Sequence, residues 1–590
     1  MDLLPDGLRA SPPGRAGQRT HPAQAAGVWV VASGLCASAV LLAWLRRWTC
    51  DDAFISFRYA ANLGDGLGLV YNAGERVEGY TNFLWTLALA PFVAAGLDPV
   101  PTSHALGLAC YVALLAWLLR TSWREAPRRP AGFLPLAACM MAVLPDVRTW
   151  ATGGLETMAF TLFAAVGVFT ASRAETPGAL LRAGGWLSLC LLSRPDGALF
   201  VAGPLATGLL WSQGSLGMRV RRLAWLLGPV VAVGTAWGAW KLAYYDDLFP
   251  TSFYAKSAAR PYLDQGLLYG ALFLARNWVL VIALAAGLWL WVSRRTEPRP
   301  VPASTATRAC LISGTAFALY VAYSGGDFMF ARRWIPVLPL FLLPLEEIVA
   351  SRPVLRGAGT RATLALATAL IAMATLPFPV LTAGRPRIRG IADEPRFYTP
   401  ENLEARRIQA QAAAEGLRGL PVRVAFEGGM CGFGYWSRLP YLVEITGLTQ
   451  YSLAKKPLAE RGFIGHEKLA DASWYADHGI HLLFRQRWPW EVAAAGEPWA
   501  FNRITLGGVC EGKILRYDDA IMEELGRRPG VRFQSIDNTL ERARRSMEVA
   551  AGPEAEALLR TLDGYYFRQA SGRREAVRRE LLALAESRRR

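Results

Sequence analysis

Charge is scarce in this chain and unevenly placed. Asp, Glu, Lys and Arg make up 19% of the 590 residues, against 53% hydrophobic ones. Soluble domains carry about 25% charge, so a wholly water-soluble protein is excluded. Cysteine is without pattern: the eight Cys show no CxxC or zinc-like spacing. Cys36, Cys110, Cys139, Cys190 and Cys310 fall in apolar runs as packing residues. Cys431 and Cys510 are the two that an oxidising compartment could pair. The apolar runs hold no central Asp or Glu, and only the Arg194/Asp196 break carries charge within one. A transporter would place ionisable groups at the midplane of broken helices, so a transport reading rests on this one break. The net charge of +17 does not imply nucleic acid, because the arginines sit beside apolar runs, as in cytoplasmic loops of membrane proteins. No small-residue cleavage site follows the run from Val28 to Leu45; Arg46, Arg47 and Trp48 do. That run reads as an uncleaved first span.

Composition divides the rest. Residues 1–26 form a cytoplasmic tail, 27–382 a transmembrane domain with an outer loop at 46–102, and 383–590 a water-soluble unit. A span needs about 20 apolar residues, fewer inside a bundle. Clear candidates lie near 27–45, 103–119, 131–145, 157–172, 223–243, 277–293, 309–323, 334–350 and 362–382. Segment 82–97 could span or lie at the interface, and 183–212 could span once or twice. Lys and Arg bias toward the cytoplasmic side decides. Loops 213–222, 294–308 and 351–361 are arginine-rich and belong inside. Loops 120–130 and 173–182 join them only if 82–97 does not span and 183–212 spans twice. The outcome is a polytopic α-helical protein of about eleven transmembrane helices, with loops 46–102, 146–156, 244–276 and 324–333 on the outer face beside the C-terminal unit. That unit reads as α/β, with strands expected at 422–426, 441–445 and 480–484.

The polar residues of that face are the candidates for chemistry. Asp51 and Asp52 are adjacent carboxylates at a membrane surface, where charge is costly. One of them could instead cap a helix, since Thr49 and Asp52 resemble a capping box. The run Glu75-Arg76-Val77-Glu78-Gly79-Tyr80-Thr81-Asn82 is too polar for a simple connector. Glu156 opens a span, where it either suits the helix dipole or acts in catalysis. Activated sugars outside the cytoplasmic membrane ride on polyprenyl phosphate. Phosphate leaves without protonation, so such a transferase needs one carboxylate base and cations for the phosphate. Arg58, Lys256, Arg260, Arg332 and Arg333 are the cations available, each of which could equally snorkel to lipid headgroups. Asp327 precedes the last pair. His466-Glu467 and the His478/His481 pair lack a third well-placed ligand, so no metal is assigned there.

Taken together, Asp51-Asp52-Ala-Phe-Ile-Ser-Phe-Arg58-Tyr59, Gly68-Leu-Val-Tyr-Asn72 and Gly74-Glu75-Arg76-Val77-Glu78-Gly79-Tyr80-Thr81-Asn82-Phe-Leu-Trp85 resemble the terminal β-(1→2)-arabinofuranosyltransferases of mycobacterial cell walls and their bacterial relatives. Gly154-Leu-Glu156-Thr157, Arg194-Pro-Asp-Gly197, Tyr254-Ala-Lys256, Gly325-Gly-Asp327 with Arg333, Gly447-Leu-Thr449 and Gly465-His466-Glu467-Lys468 extend the likeness over nearly the whole chain. Gln450 and Phe249-Pro250-Thr251 depart from it, where Asp and Pro-Asn-Thr are the usual forms. The resemblance implies a GT-C fold, a polyprenyl-phosphate sugar donor, a glycan acceptor of the cell envelope and an outer-loop catalytic Asp, here Asp51 or Asp52. Glu156 is the further catalytic candidate. Arg58, Lys256, Arg332 and Arg333 would hold donor phosphate; Glu78, Tyr80, Asn82, Asp327, His466 and Glu467 would meet substrate. No cofactor is firmly implied, and a divalent cation is left open. The bilayer is a partner and nucleic acid is not. The alternatives are a transporter or flippase of lipid-linked sugars and a non-catalytic glycan-binding membrane protein, which would survive loss of both aspartates.

Overall fold

In the computed structural model the described residues are 22–125, 133–293, 304–351, 379–382, 384–485, 503–533 and scattered positions between 540 and 587. The expected tail up to residue 21, most of the expected span 362–382, and much of the loops 120–130, 294–308 and 351–361 lie outside them.

The helices follow the apolar runs, and their ends follow local chemistry. They are α1 (Pro22–Leu45), α2 (Ala53–Gly64), α3 (Phe83–Ala94), α4 (Pro99–Glu125), α5 (Leu136–Val143), α6 (Pro145–Trp150), α7 (Thr157–Ala171), α8 (Pro177–Ser193), α9 (Ala202–Leu210), α10 (Leu216–Tyr245), α11 (Thr251–Ala255), α12 (Leu263–Arg276), α13 (Trp278–Ser293), α14 (Thr305–Tyr323) and α15 (Leu338–Ala350). Three of these begin on a hydroxyl cap: Thr176, Ser215 and Ser304 accept the backbone N–H three residues on. α8 ends at Arg194, held extended before Pro195, as a residue preceding proline prefers. α10 ends on Asp246 in the left-handed region.

Length separates the helices that can cross a bilayer alone from those that cannot. Among the described residues α1, α4 and α10 are long and apolar enough, and α12 with α13 would make a fourth, bent by 93° at Asn277. α3 and α7 are apolar but shorter. Twelve residues of α3 reach about 18 Å, well under the roughly 30 Å hydrocarbon core. The expected span 131–145 is instead two short helices, α5 and α6, the first buried on all sides. The expected span 334–350 begins as a 3-10 turn before α15. The stretch 183–212 is broken into α8, a 3-10 segment (Pro195–Val201) and α9. The Arg-Pro-Asp-Gly sequence signalled the break within 183–212, whereas those within 131–145 and 334–350, made at Pro135, Pro145 and Pro336 without added charge, left no mark in the pattern of charge.

The C-terminal unit is built on one six-stranded sheet. Its strands are β3 (Arg423–Phe426), β4 (Tyr441–Glu444), β5 (Leu482–Phe484), β6 (Arg503–Leu506), β7 (Cys510–Ile514) and β8 (Val531–Phe533), in the order β4-β3-β5-β7-β6-β8. β3 runs parallel to β4 and β5; β5, β7, β6 and β8 pair antiparallel. A two-residue hairpin, β1 (Arg387–Ile388) with β2 (Ile391–Ala392), precedes it. Helices α16 (Pro400–Gly416) and α17 (Cys431–Ser437) pack against one another. Cys431 and Cys510 are free and buried, not paired.

The two parts are joined by buried polar contacts. Asp51 accepts the backbone N–H groups of Cys431 and Gly432 at 2.9 and 3.3 Å. Arg58 donates to the carbonyls of Tyr71, Gly434 and Leu439 at 2.8, 2.6 and 2.8 Å. Asn72 exchanges bonds with the backbone of Leu442 at 2.9 and 3.0 Å. Loop 46–102 and the sheet domain therefore share one core.

Candidate active site

A cavity of about 380 Å³ opens where loop 46–102, the helix breaks and the C-terminal unit meet. The first turn of α2 supplies Asp52, Ile55 and Ser56, spaced to lie on one helix face. The 3-10 break after α8 supplies Arg194 and Asp196; the connection after α10 supplies Phe249, Phe253 and Lys256; the loop before α15 supplies Asp327, Arg332 and Arg333. Leu448 and His466 of the C-terminal unit close one side.

Two backbone conformations aim these groups. Gly154 has φ +79°, and a Cβ there would stand 2.9 Å from that of Ala53, so only glycine lets loop 146–156 pass so close to the start of α2. Ala331 has φ +65°, a costly conformation for a residue with a side chain. Around it, Trp150 Nε1 donates to the Phe330 carbonyl at 2.9 Å and Tyr269 Oη to the Met329 carbonyl at 2.9 Å. Ala392 of β2 exchanges backbone bonds with Phe328 and Phe330 at 2.7 and 3.0 Å. The kink sends Arg332 to Glu156 and Arg333 to Asp196, at 2.7 and 3.0 Å.

The charges form a connected set. Arg194 grips Asp196 through two bonds of 2.9 and 2.8 Å and reaches Glu156 at 3.1 Å. Lys256 Nζ stands 3.2 Å from Asp327 and 5.3 Å from the Phe328 ring centroid. Asn82 donates to Glu156 at 3.0 Å while accepting from Ser56 and Thr86 at 2.9 and 3.2 Å. Arg333 bonds Ser324 and the Gly326 carbonyl, yet its Nε is buried with no partner among the described residues.

Asp52 differs from the other carboxylates. It is half-buried, caps no helix with its side chain, and makes no ion pair among the described residues. Thr49, its expected capping partner, bonds His104 instead at 2.9 Å. Burial pushes the Asp52 carboxyl up, with Asp51 and Asp327 adding and Lys256 and Arg332 opposing, to about 6. For Asp327 and Glu156 burial also pushes up, but their cations outweigh it and hold both below the usual range. Burial drives His466 down to about 4, so it is neutral at physiological pH; its ring stacks on Phe463, centroids 4.1 Å apart.

Of the residues singled out in the sequence, Asp52, Tyr80, Asn82, Lys256, Asp327, Arg332, Arg333 and His466 line the cavity. Asp51, Arg58, Glu78, Glu156 and Glu467 do not. Arg58 spends its guanidinium on three carbonyls of the domain joint, so the expected role in holding donor phosphate does not fit it. Glu78 is buried against Lys241 of α10 at 2.7 Å and does not line the cavity. Glu467 accepts from Arg461 and the Gly462 amide, bracing the turn that carries His466. Glu156 lies behind the wall, fixing Arg194 and Arg332 rather than facing the cavity. Arg260 is exposed and offers its carbonyl to Arg461. Arg194 and Asp196 line the cavity without having been proposed as site residues; their signal was the charged Arg-Pro-Asp-Gly break in an apolar run.

Asp51, Asp52 and Cys431 offer ligand atoms within 4.8 Å of one another. The set suits a hard divalent cation poorly. Such ions take six or more oxygens, whereas Asp51 is committed to two amides and burial keeps the Cys431 thiol protonated.

The chain matches no family model. It is 31% identical to the terminal β-(1→2)-arabinofuranosyltransferase of Mycobacterium tuberculosis over 60% of its own length and 63% of that protein. It is also 31% identical to the Corynebacterium glutamicum protein of the same name, over 52% of its own length and 48% of the relative. This chain is a sequence relative of the terminal arabinofuranosyltransferases. It spans less than two thirds of either relative's length. Among solved structures it is similar to ArnT from Cupriavidus metallidurans bound to undecaprenyl phosphate, with TM-score 0.41, 13% identity and coverage of 76% of this chain and 79% of that one. The Archaeoglobus fulgidus oligosaccharyltransferase tethered to an acceptor peptide gives TM-score 0.42 at 13% identity, over 78% of this chain and 68% of that one.

Proposed function

We propose that the protein is a GT-C-type membrane glycosyltransferase. It moves a sugar, arabinofuranose by analogy with its relatives, from polyprenyl phosphate to a cell-envelope glycan on the outer face of the bacterial cytoplasmic membrane. The observation that carries this reading is one carboxylate, Asp52, without an ion-pair partner among the described residues, in a cavity walled by Lys256, Arg332, Arg333 and Arg194. A carboxylate titrating at about 6 is ionised at neutral pH yet basic enough to take a hydroxyl proton in the transition state.

In this scheme Asp52 removes the proton of the acceptor hydroxyl as its oxygen forms a bond to the anomeric carbon. The bond from that carbon to the phosphate oxygen breaks, and polyprenyl phosphate leaves with the electron pair. Guanidinium and ammonium groups already held by Glu156, Asp196 and Asp327 meet the phosphate without reorganising, which is how fixed charges stabilise a developing anion. Phe249, 42% exposed and on the cavity wall, and its neighbour Leu248, 45% exposed, give the isoprenoid chain an apolar approach. The arginine bias of loops 213–222, 294–308 and 351–361 supports an outer location for this face.

The test is transfer by the purified full chain offered a panel of polyprenyl-phosphate sugars. Turnover of at least one, lost in Asp52→Asn, supports the proposal. Unchanged transfer by that variant removes Asp52 as base, and vectorial movement of intact lipid-linked sugar without transfer replaces the enzyme with a transporter.

A further inference from the structure

A second cavity, of about 340 Å³, lies at the opposite ends of the helices that carry the active site. Glu156 precedes α7 and Arg194 follows α8; the second cavity is lined by the last turn of α7 and the first turns of α8. With 15 and 17 residues, these helices separate the two cavities by about 22–26 Å. The third wall is the end of α4, a helix long and apolar enough to cross a membrane.

Its chemistry differs from that of the first. Arg124 of α4, Arg173 just after α7 and Arg182 of α8 surround it, and among the described residues no carboxylate lines it. Arg173 is paired with Glu125 at 2.6 Å and sits over the Phe169 ring at 4.4 Å. Arg124 and Arg182 are exposed and have no ion-pair partner among the described residues. The floor is apolar and aromatic: Trp117 packs edge-on to Phe169 at 5.5 Å, and Trp186 stands beside it. Arg222 of α10 closes the rim by donating to the Ala174 carbonyl at 2.8 Å. Arginines snorkelling singly to the interface need no concave site. Here three converge over a hollow flanked by two indoles, the residues that favour the headgroup level.

We infer that this pocket binds the phosphate headgroup of an anionic membrane phospholipid on the cytoplasmic side, with Arg124 and Arg182 as its ligands and the acyl chains along α4 and α8. The inference rests on the membrane orientation and not on the transfer chemistry.

Native mass spectrometry of the purified full chain, delipidated and then given phosphatidylglycerol, phosphatidylcholine or inorganic phosphate, tests it. Phosphatidylglycerol should be retained over phosphatidylcholine. The double variant R124Q/R182Q should lose about five-fold in affinity per arginine, while R221Q, an exposed arginine of α10 outside the pocket, should lose none. The melting temperature in lipid-free detergent should be unchanged by the double substitution, because both side chains are exposed. Equal retention of the two lipids, equal loss in R221Q, or displacement of phosphatidylglycerol by millimolar phosphate would overturn the headgroup site. Sugar transfer surviving in R124Q/R182Q alongside lost lipid retention separates this inference from the proposed activity.

Discussion

Replacing Asp52 with Asn should abolish transfer and stabilise the protein, and the pairing of those effects distinguishes a base from a structural residue. The Asp52 carboxyl is raised from 3.8 to about 6. A folded-state pKa above the unfolded one means that ionisation costs stability. The cost is fully present above about pH 6, shrinks as pH falls toward 3.8, and vanishes below that. At 1.36 kcal/mol per pH unit the ceiling is about 3 kcal/mol, reduced by the partial exposure of the side chain. Asn never ionises and escapes it. Thermal melts in detergent should therefore show Asp52→Asn above wild type at pH 7.5, with the gap closing near pH 4. Transfer, measured on the same preparations, should fall by roughly 10²–10⁴, the usual contribution of a general base. Wild-type activity should rise with pH through about 6. A variant that is less stable than wild type at pH 7.5, or that transfers normally, refutes the reasoning.

Three further outcomes follow from the contacts. Lys256→Gln removes the largest charge pulling the Asp52 pKa down, so the acidic limb of the kcat/KM profile should move to higher pH and KM for donor should rise. Arg58→Lys loses the fork that serves three carbonyls; at about 1.5–3 kcal/mol for each bond to a charged group, it should lower the melting temperature and leave donor KM unchanged in the folded fraction. Asp51→Asn should speed amide exchange at Cys431 and Gly432, seen by mass spectrometry, and reduce transfer less than Asp52→Asn does.

The sequence exposed polarity better than direction. Asp52 was legible because it is a charge beside a membrane surface, but choosing it over Asp51 required seeing Asp51 consumed by two amides of α17. Arg58 was assigned by charge alone. Six residues along a helix from Asp52 is about 240° around it, so it faces the domain joint while Ile55 and Ser56 face the cavity. The parallel strands β3, β4 and β5 announced themselves as short apolar runs. The antiparallel β6 and β7 did not, because Arg503, Glu511 and Lys513 dilute that pattern on strands with one wet face. Glu394 gave no signal at all. It stands buried 4.0 Å from Cys50, and burial with the nearby Asp52 and Asp51 raises its carboxyl well above the usual range. It arrives there through the pairing of β2 with the Phe328–Phe330 segment, a contact between distant parts of the chain.

The most direct test follows the leaving group. Purified protein in bilayers, given polyprenyl-phosphate arabinofuranose and an arabinan acceptor, should release one polyprenyl phosphate for each new glycosidic bond, and neither product should form with Asn at position 52. Sugar transfer from a nucleotide sugar, with every polyprenyl-phosphate donor left intact, would contradict the account.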